Sequence, residues 1–247
     1  MSTTTIVTGG GTGIGRDVAL TLARRGEHVT IAGRRLAPLD AVAAEAPDGA
    51  VRVVAADLGT VEGAESLAEA VRGRGVTGIV AAAGGQGDFM RLAPGARAAE
   101  AAWTDALQKN LMSAVLPIEA ALPELVDGRG RVVLIGSTSG LDGLGGPYAT
   151  AKAAMQGYGM DLARRLGGRQ ITANVVAPGF IADTEFFEAG NIAANTEMID
   201  AVASGTMVGR VGRPADITAC VMWLLSEDGG WTTGQVISPN GGTVLVH

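Results

Sequence analysis

The sequence predicts an α/β fold: a doubly wound, seven-stranded parallel sheet flanked by helices on both faces. Three observations predict it. Strand-like and helix-like segments alternate along the whole chain, the mark of right-handed crossovers between parallel strands. The composition is 47% hydrophobic and only 18% charged, with mean hydropathy +0.27, as expected where strands are covered on both faces. A glycine-rich stretch, Thr8-Gly9-Gly10-Gly11-Thr12-Gly13-Ile14-Gly15, joins the first strand-like run to the first helical pattern. No repeat, low-complexity tract or linker interrupts the 247 residues, so a single domain over 1–247 is expected.

The β-branched and apolar runs place strands at 4–8, 28–32, 51–55, 77–82, 131–136, 171–177 and 233–237. Helical spacing of apolar residues places helices at 13–25, 36–46, 60–72, 98–126, 148–167 and 214–226. The segment 184–207 has no clean period. Its Phe186, Phe187, Ile192, Met198, Ile199 and Met207 suit a lid over an apolar substrate pocket, or two short packing helices. In such folds ligands sit beyond the carboxyl ends of the strands, so the residues after each strand carry the chemistry.

After the first strand, Thr8, Gly9, Gly13 and Gly15 form the pattern Thr-Gly-x-x-x-Gly-x-Gly. The stricter G-x-G-x-x-G register fits nowhere. Glycines admit an anion close to the backbone, and N–H groups at a helix N-terminus attract it. Gly11, Thr12 and Ile14 complete the turn. After the second strand, Gly33-Arg34-Arg35 stands where an NAD site ordinarily has an acid for the ribose 2′-OH. Arg34 suits a 2′-phosphate instead, hence NADP(H), with NAD(H) the alternative. After the third, Asp57-Leu58 either caps the next helix or meets an adenine amino group. After the fourth, Ala83 and Gly84 leave room for a cofactor against the backbone. After the sixth, Pro178-Gly179, Ile181 and Thr184 can present groups to a cofactor ring, or simply end the strand.

The only lysines are Lys109 and Lys152, every other basic residue being arginine, and the only tyrosines are Tyr148 and Tyr158. Tyr148 and Lys152 are four apart and share one helix face. If a dinucleotide lies across the strand ends, a substrate carbonyl gains negative charge as hydride reaches its carbon, and a proton donor must meet it. Tyr148 is that donor. Bringing its pKa from about 10 to about 7 asks for roughly 4 kcal/mol, which a nearby Lys152 ammonium is placed to supply. Ser137 would hold the carbonyl oxygen, with Ser139 as a rival. Asn110, awkward inside a helix, would seat a water that reloads the proton.

Other classes fit poorly. Net charge −6 argues against nucleic acid. No run of about 18 apolar residues free of glycine and charge suggests a membrane span. The lone Cys220 fits a reducing, cytoplasmic setting, and His28 and His247 form no metal-binding cluster.

These residues together resemble the short-chain dehydrogenase/reductase family over essentially the whole chain, in its 3-oxoacyl-carrier-protein-reductase-like single-domain branch. The matching pieces are Thr8-Gly9-x3-Gly13-x-Gly15, Asp57-Leu58, Ala83-Gly84, Asn110, Ser137, Tyr148-x3-Lys152, Pro178-Gly179 and Gly241-Gly242. The resemblance implies a Rossmann sheet, a catalytic Asn110–Ser137–Tyr148–Lys152 tetrad and a homo-oligomer, a tetramer or a dimer. It implies reduction of a small-molecule carbonyl, free or carried on an acyl carrier protein. Arg129, Arg131, Arg164, Arg165 and Arg169 are candidates for a carrier-docking patch. Three departures stand out. The family's Asn-Asn-Ala-Gly reads Ala81-Ala82-Ala83-Gly84, Ser137 lies slightly close to Tyr148, and Thr184 falls one residue late. The stretch 85–100 is also longer than usual and can border the substrate site. An NAD-linked alcohol or sugar dehydrogenase and a non-catalytic NADP-binding regulator are the competing readings.

Overall fold

The computed structural model describes residues 3–85, 94–184 and 196–245. Seven strands form one parallel sheet in the order β3-β2-β1-β4-β5-β6-β7. They are β1 (Thr4–Thr8), β2 (His28–Gly33), β3 (Val51–Ala55), β4 (Val76–Ala81), β5 (Arg131–Ile135), β6 (Thr172–Val176) and β7 (Val236–Ile237). The register runs in step from strand to strand, Thr8 beside Ala32 and Ala81, and Ile135 beside Val176. The order reverses between β1 and β4, which leaves a crevice over their carboxyl ends.

Alternate strand residues face opposite layers, as the two-residue period of a strand demands. Ile6, Ile79, Leu134 and Val175 pack on one face with Leu67, Ile118, Met155 and Leu162. Those four belong to α3 (Val61–Val71), α5 (Ser113–Ala121) and α7 (Gly146–Leu166). Val7, Ile31, Val80, Val133 and Val176 face the other way, onto Val18, Leu39, Ile217 and Val221. These come from α1 (Gly13–Arg24), α2 (Leu36–Glu45) and α9 (Pro214–Leu225). With every large side chain in both sets buried, the sheet is a rigid floor for whatever sits at its rim.

Two expectations need correction. The helix expected over 98–126 is broken into α4 (Ala96–Leu107), a π turn at Gln108–Met112, α5 and a 3-10 turn at Leu122–Glu124. Pro117 lies inside α5 and removes one backbone bond there. The π turn carries Asn110, whose side-chain amide pairs with the Gly85 backbone beside the crevice. The last strand is also shorter than 233–237. Thr233 Oγ1 accepts from the Ala173 N–H and Asn174 Oδ1 from the Gln235 N–H, so side chains alternate there with the backbone bonds Gly234 N–H to Ala173 and Val175 N–H to Gln235.

Of the expected lid over 184–207, residues 185–195 lie outside the described residues, as do 86–93 of the long 85–100 stretch. The described remainder of the lid holds α8 (Thr196–Ser204). Among the described residues no helix is long and apolar enough to cross a membrane.

Candidate active site

The crevice holds two adjoining cavities. One, of about 310 Å³, is lined by Gly9, Gly11, Thr12, Arg34, Arg35, Asp57, Leu58, Ala83 and Gly84, with Gln108 and Lys109 of the π turn also on its wall. The other, of about 720 Å³, is lined by Gly13, Ile14, Gly15, Asn110, Ser137, Tyr148, Lys152, Pro178, Gly179, Ile181 and Thr184. Gly9, Thr12, Arg34, Arg35 and Gly84 belong to both, so the two form one groove. Every residue the sequence singled out for the site lines it.

The glycine turn is built for close approach. Gly9 has φ +65°, and a Cβ there would stand 2.7 Å from the Ala82 carbonyl oxygen. A Cβ on Gly15 would stand 2.4 Å from the Gly9 carbonyl oxygen, so the turn closes only because both are glycine. Thr12 caps α1 without a side-chain bond, which leaves the first-turn N–H groups to the groove. These features fit a dinucleotide pyrophosphate. Arg34 and Arg35 stand exposed at the groove's end, with no acid beside them in sequence.

Asp57 does not cap the next helix. Its Oδ1 accepts from the Gly59 N–H at 3.0 Å, and Thr60 is the cap of α3, accepting from the Gly63 N–H at 3.1 Å. Asp57 itself lines the smaller cavity. The alanine-for-asparagine change at the end of β4 is compensated by neighbours. Buried Thr8 accepts from the Ala83 N–H at 3.0 Å, and Asn110 pairs in both directions with the Gly85 backbone, at 3.1 and 3.0 Å. Thr8 Oγ1 is a tie that sequence reading overlooked; a threonine at a strand end is its only signal. Asn110 also donates to the Ala106 carbonyl, so both amide protons are spent, and only its Oδ1, which accepts once from Gly85, has capacity left.

Tyr148 and Lys152 project from the first turns of α7, which Pro147 starts, and each is only 6% exposed. Ser137, just past β5, is the serine hydrogen-bonded to Tyr148. The rival Ser139, which opens the short helix α6 (Ser139–Asp142), donates its backbone N–H to Ser137 Oγ at 3.2 Å and so helps to hold it. Lys152 Nζ donates to the Ile135 carbonyl at 2.9 Å and lies 5.8 Å from the Tyr148 ring centre. Burial pushes the Lys152 ammonium down to about 8 and the Tyr148 phenol up to about 12, against a smaller lowering by Ser137. The expected drop of Tyr148 toward neutrality is therefore absent: burial raises the phenol by more than the Ser137 hydrogen bond lowers it. The phenol rests fully protonated.

Thr184 Oγ1 donates to the Ile181 carbonyl at 3.2 Å, and its methyl carbon would meet a Cβ on Gly13 at 3.3 Å. It packs over the glycine turn from the far side of the groove. The five arginines considered for carrier docking lie away from this groove. Arg131 starts β5 at the opposite end of the strand and is buried against the Gly130 carbonyl. Arg165 pairs with Glu119 and Asp161, and Arg169 with Asp127.

A protein-family model described as enoyl-(acyl carrier protein) reductase matches residues 9–244. The chain belongs to the short-chain dehydrogenase/reductase family. It is an NAD(P)-dependent oxidoreductase acting on the CH–OH/C=O pair. Within the family it is 33% identical over 245 residues to the 3-oxoacyl-[acyl-carrier-protein] reductase FabG of Haemophilus influenzae, covering 97% of each chain. It is 32% identical to FabG of Escherichia coli, over 98% of this chain and 97% of that one. Among solved family structures it superposes on a Brucella melitensis protein titled glucose/ribitol dehydrogenase with TM-score 0.88 at 25% identity, covering 99% and 98% of the two chains. The Pseudomonas aeruginosa RhlG/NADP active-site complex gives 0.84 at 29% identity, with 98% and 96% covered.

Proposed function

We propose that this protein reduces a ketone, free or as a 3-oxoacyl thioester, to the alcohol with NADPH. One observation carries the reading. The hydrogen-bonded Ser137–Tyr148 pair and the buried Lys152 open onto the same groove as the glycine turn and Arg34. NADPH, when bound, supplies a hydride to the carbonyl carbon.

The protein's own part is to bind, orient and protonate. The glycine turn and the start of α1 hold the pyrophosphate, Arg34 the 2′-phosphate, and Asp57 the adenine amino group. Pro178, Gly179, Ile181 and Thr184 bound the nicotinamide end. Ser137 donates to the carbonyl oxygen, which becomes an alkoxide as it gains charge. Tyr148 gives that oxygen its proton, and a phenol held protonated at rest is the form a reductase needs. Lys152, still mostly charged at pH 7, steadies the phenolate left behind. Asn110 keeps the Gly84–Gly85 wall and the π turn in register. The exposed Trp223, Trp231 and Leu245 support assembly into a homo-oligomer, a tetramer or dimer, through their faces.

The test is loss of NADPH absorbance against a panel of cyclic, aryl and aliphatic ketones and an acetoacetyl thioester, run beside Tyr148→Phe. The expected result is turnover by the wild type that falls about 100-fold or more in the variant, the size of a lost general acid. Full activity of Tyr148→Phe on a good substrate would overturn the mechanism.

A further inference from the structure

Gly241-Gly242 closes the resemblance, but no step above uses it. The turn that contains it, residues 238–244, is tied to two segments at once: the Pro178-Gly179 wall of the larger cavity, and the chain just past α8. On one side Ser238 Oγ donates to the Ala177 carbonyl at 2.8 Å, and the Gly179 N–H donates to the Pro239 carbonyl at 3.3 Å. Asn240 presses so closely on Gly179 that a Cβ there would stand 2.9 Å from Asn240 Cα. On the other side the Gly241 carbonyl accepts from the N–H groups of Met207 and Val208, at 2.8 and 3.2 Å, just past α8. A Cβ on Gly242 would stand 2.7 Å from the Met207 side chain.

One side chain sets the shape of this turn. Asn240 Nδ2 donates to Ser238 Oγ at 2.9 Å and to the Val244 carbonyl at 2.8 Å, and Asn240 Oδ1 accepts from the Gly242 N–H at 2.8 Å. Gly241 and Gly242 both have positive φ, +67° and +84°, which glycine enters as readily as it leaves, so a fixed turn here takes a tie. The amide uses both donors and an acceptor to provide it.

We infer that Asn240 is a positioning residue that fixes the Pro178-Gly179 turn and the exit of α8 relative to each other. The nicotinamide end of the cofactor and the described part of the expected lid are thereby set by one buckle. This rests on the NADPH reading of the groove, in which Gly179 bounds the nicotinamide. The adenosine end is lined by residues up to Ser113, none of them from the turn.

The test separates the two ends. Binding of NADPH and of 2′,5′-ADP, which fills only the adenosine end, is titrated on wild type, Asn240→Ala and the milder Ser238→Ala. Asn240→Asp keeps the acceptor for Gly242 but gives up both donated bonds. The expected result is a rise in the NADPH dissociation constant of about tenfold for Asn240→Ala, from the loss of one or two hydrogen bonds, and smaller rises for the other two. The 2′,5′-ADP constant should not change, and the ketone KM should rise more than kcat falls. Equal weakening of both ligands, or unchanged NADPH binding, overturns the inference, since a general loss of structure affects both probes alike. If wild type binds neither probe, the NADPH reading fails first, and this inference falls with it.

Discussion

Replacing Lys152 by methionine should cost the enzyme its activity and yet remove a stability penalty that can be read from its pH dependence. The folded protein holds the Lys152 proton at about 8, against 10.5 for a free lysine, because burial disfavours the ammonium. That gap is worth about 3 kcal/mol at pH 7 against folding. The methionine variant would escape it, but the Ile135 carbonyl would lose its partner at a cost of about 1–3 kcal/mol. The two terms nearly cancel, so the net change at pH 7 decides little. The pH slope decides more, because only the proton responds to it. Between pH 8 and 10.5 the unfolded chain holds this proton more firmly than the folded one, so wild-type stability rises with pH across that window. From pH 7 to 9 the wild type should gain about 1 kcal/mol relative to Lys152→Met, roughly 3 °C in Tm for a chain of this size. Tyr148 does not interfere, since its unfolded pKa is 10.0 and its effect on stability begins near that value. Thermal unfolding of both proteins at pH 7, 8 and 9 is the assay. A Tm difference that stays flat over that range refutes the argument that a buried ammonium is held there at energetic cost.

Two further outcomes follow from the groove. Arg34→Ala should raise the NADPH KM by about 10- to 100-fold, the value of a charge-assisted bond to phosphate, and leave the NADH KM where it was; steady-state kinetics with both cofactors checks it, and an unchanged ratio removes Arg34 from cofactor choice. Gly15→Ala should cost about 1–3 kcal/mol and weaken dinucleotide binding, because its methyl would stand 2.4 Å from the Gly9 carbonyl, whereas Gly157→Ala in α7, with nothing within 4 Å, should be neutral or stabilising; chemical denaturation distinguishes them, and equal effects would mean that the turn tolerates a shift.

Local signals in the sequence carry most of the fold. Apolar runs locate all seven strands to within a few residues, since buried parallel strands are continuous in hydrophobicity. Motif spacing brings Tyr148 and Lys152 together because four residues make about one helical turn. The failures have a common cause: each depends on which partner a group finds in three dimensions. Nothing near Asn110 announces that its amide will close on Gly85, 25 residues back. Asp57 has the composition of a cap, but Thr60, a better-placed hydroxyl, takes the Gly63 N–H. Lys152 has the spacing to reach Tyr148, but it also anchors on the Ile135 carbonyl at the end of β5, and burial reverses the sign of the phenol's shift. The arginines near residue 130 suggest a patch at the entrance, and the topology puts them at the other end of the strands.

The division of the groove has a genealogical consequence. The smaller cavity is lined only by residues up to Ser113, whereas Ser137, Tyr148 and Lys152 come after residue 134, and the larger cavity draws on both stretches. On the proposed reading the adenosine pocket and the proton donor are thus inherited on separate stretches of the gene. One crossover between the codons for 114 and 134 would pair an old adenosine pocket with a new proton-donating half, and the β4–β5 seam is where the two would have to match. A lineage built this way exchanges its reacting half at the cost of a single new seam.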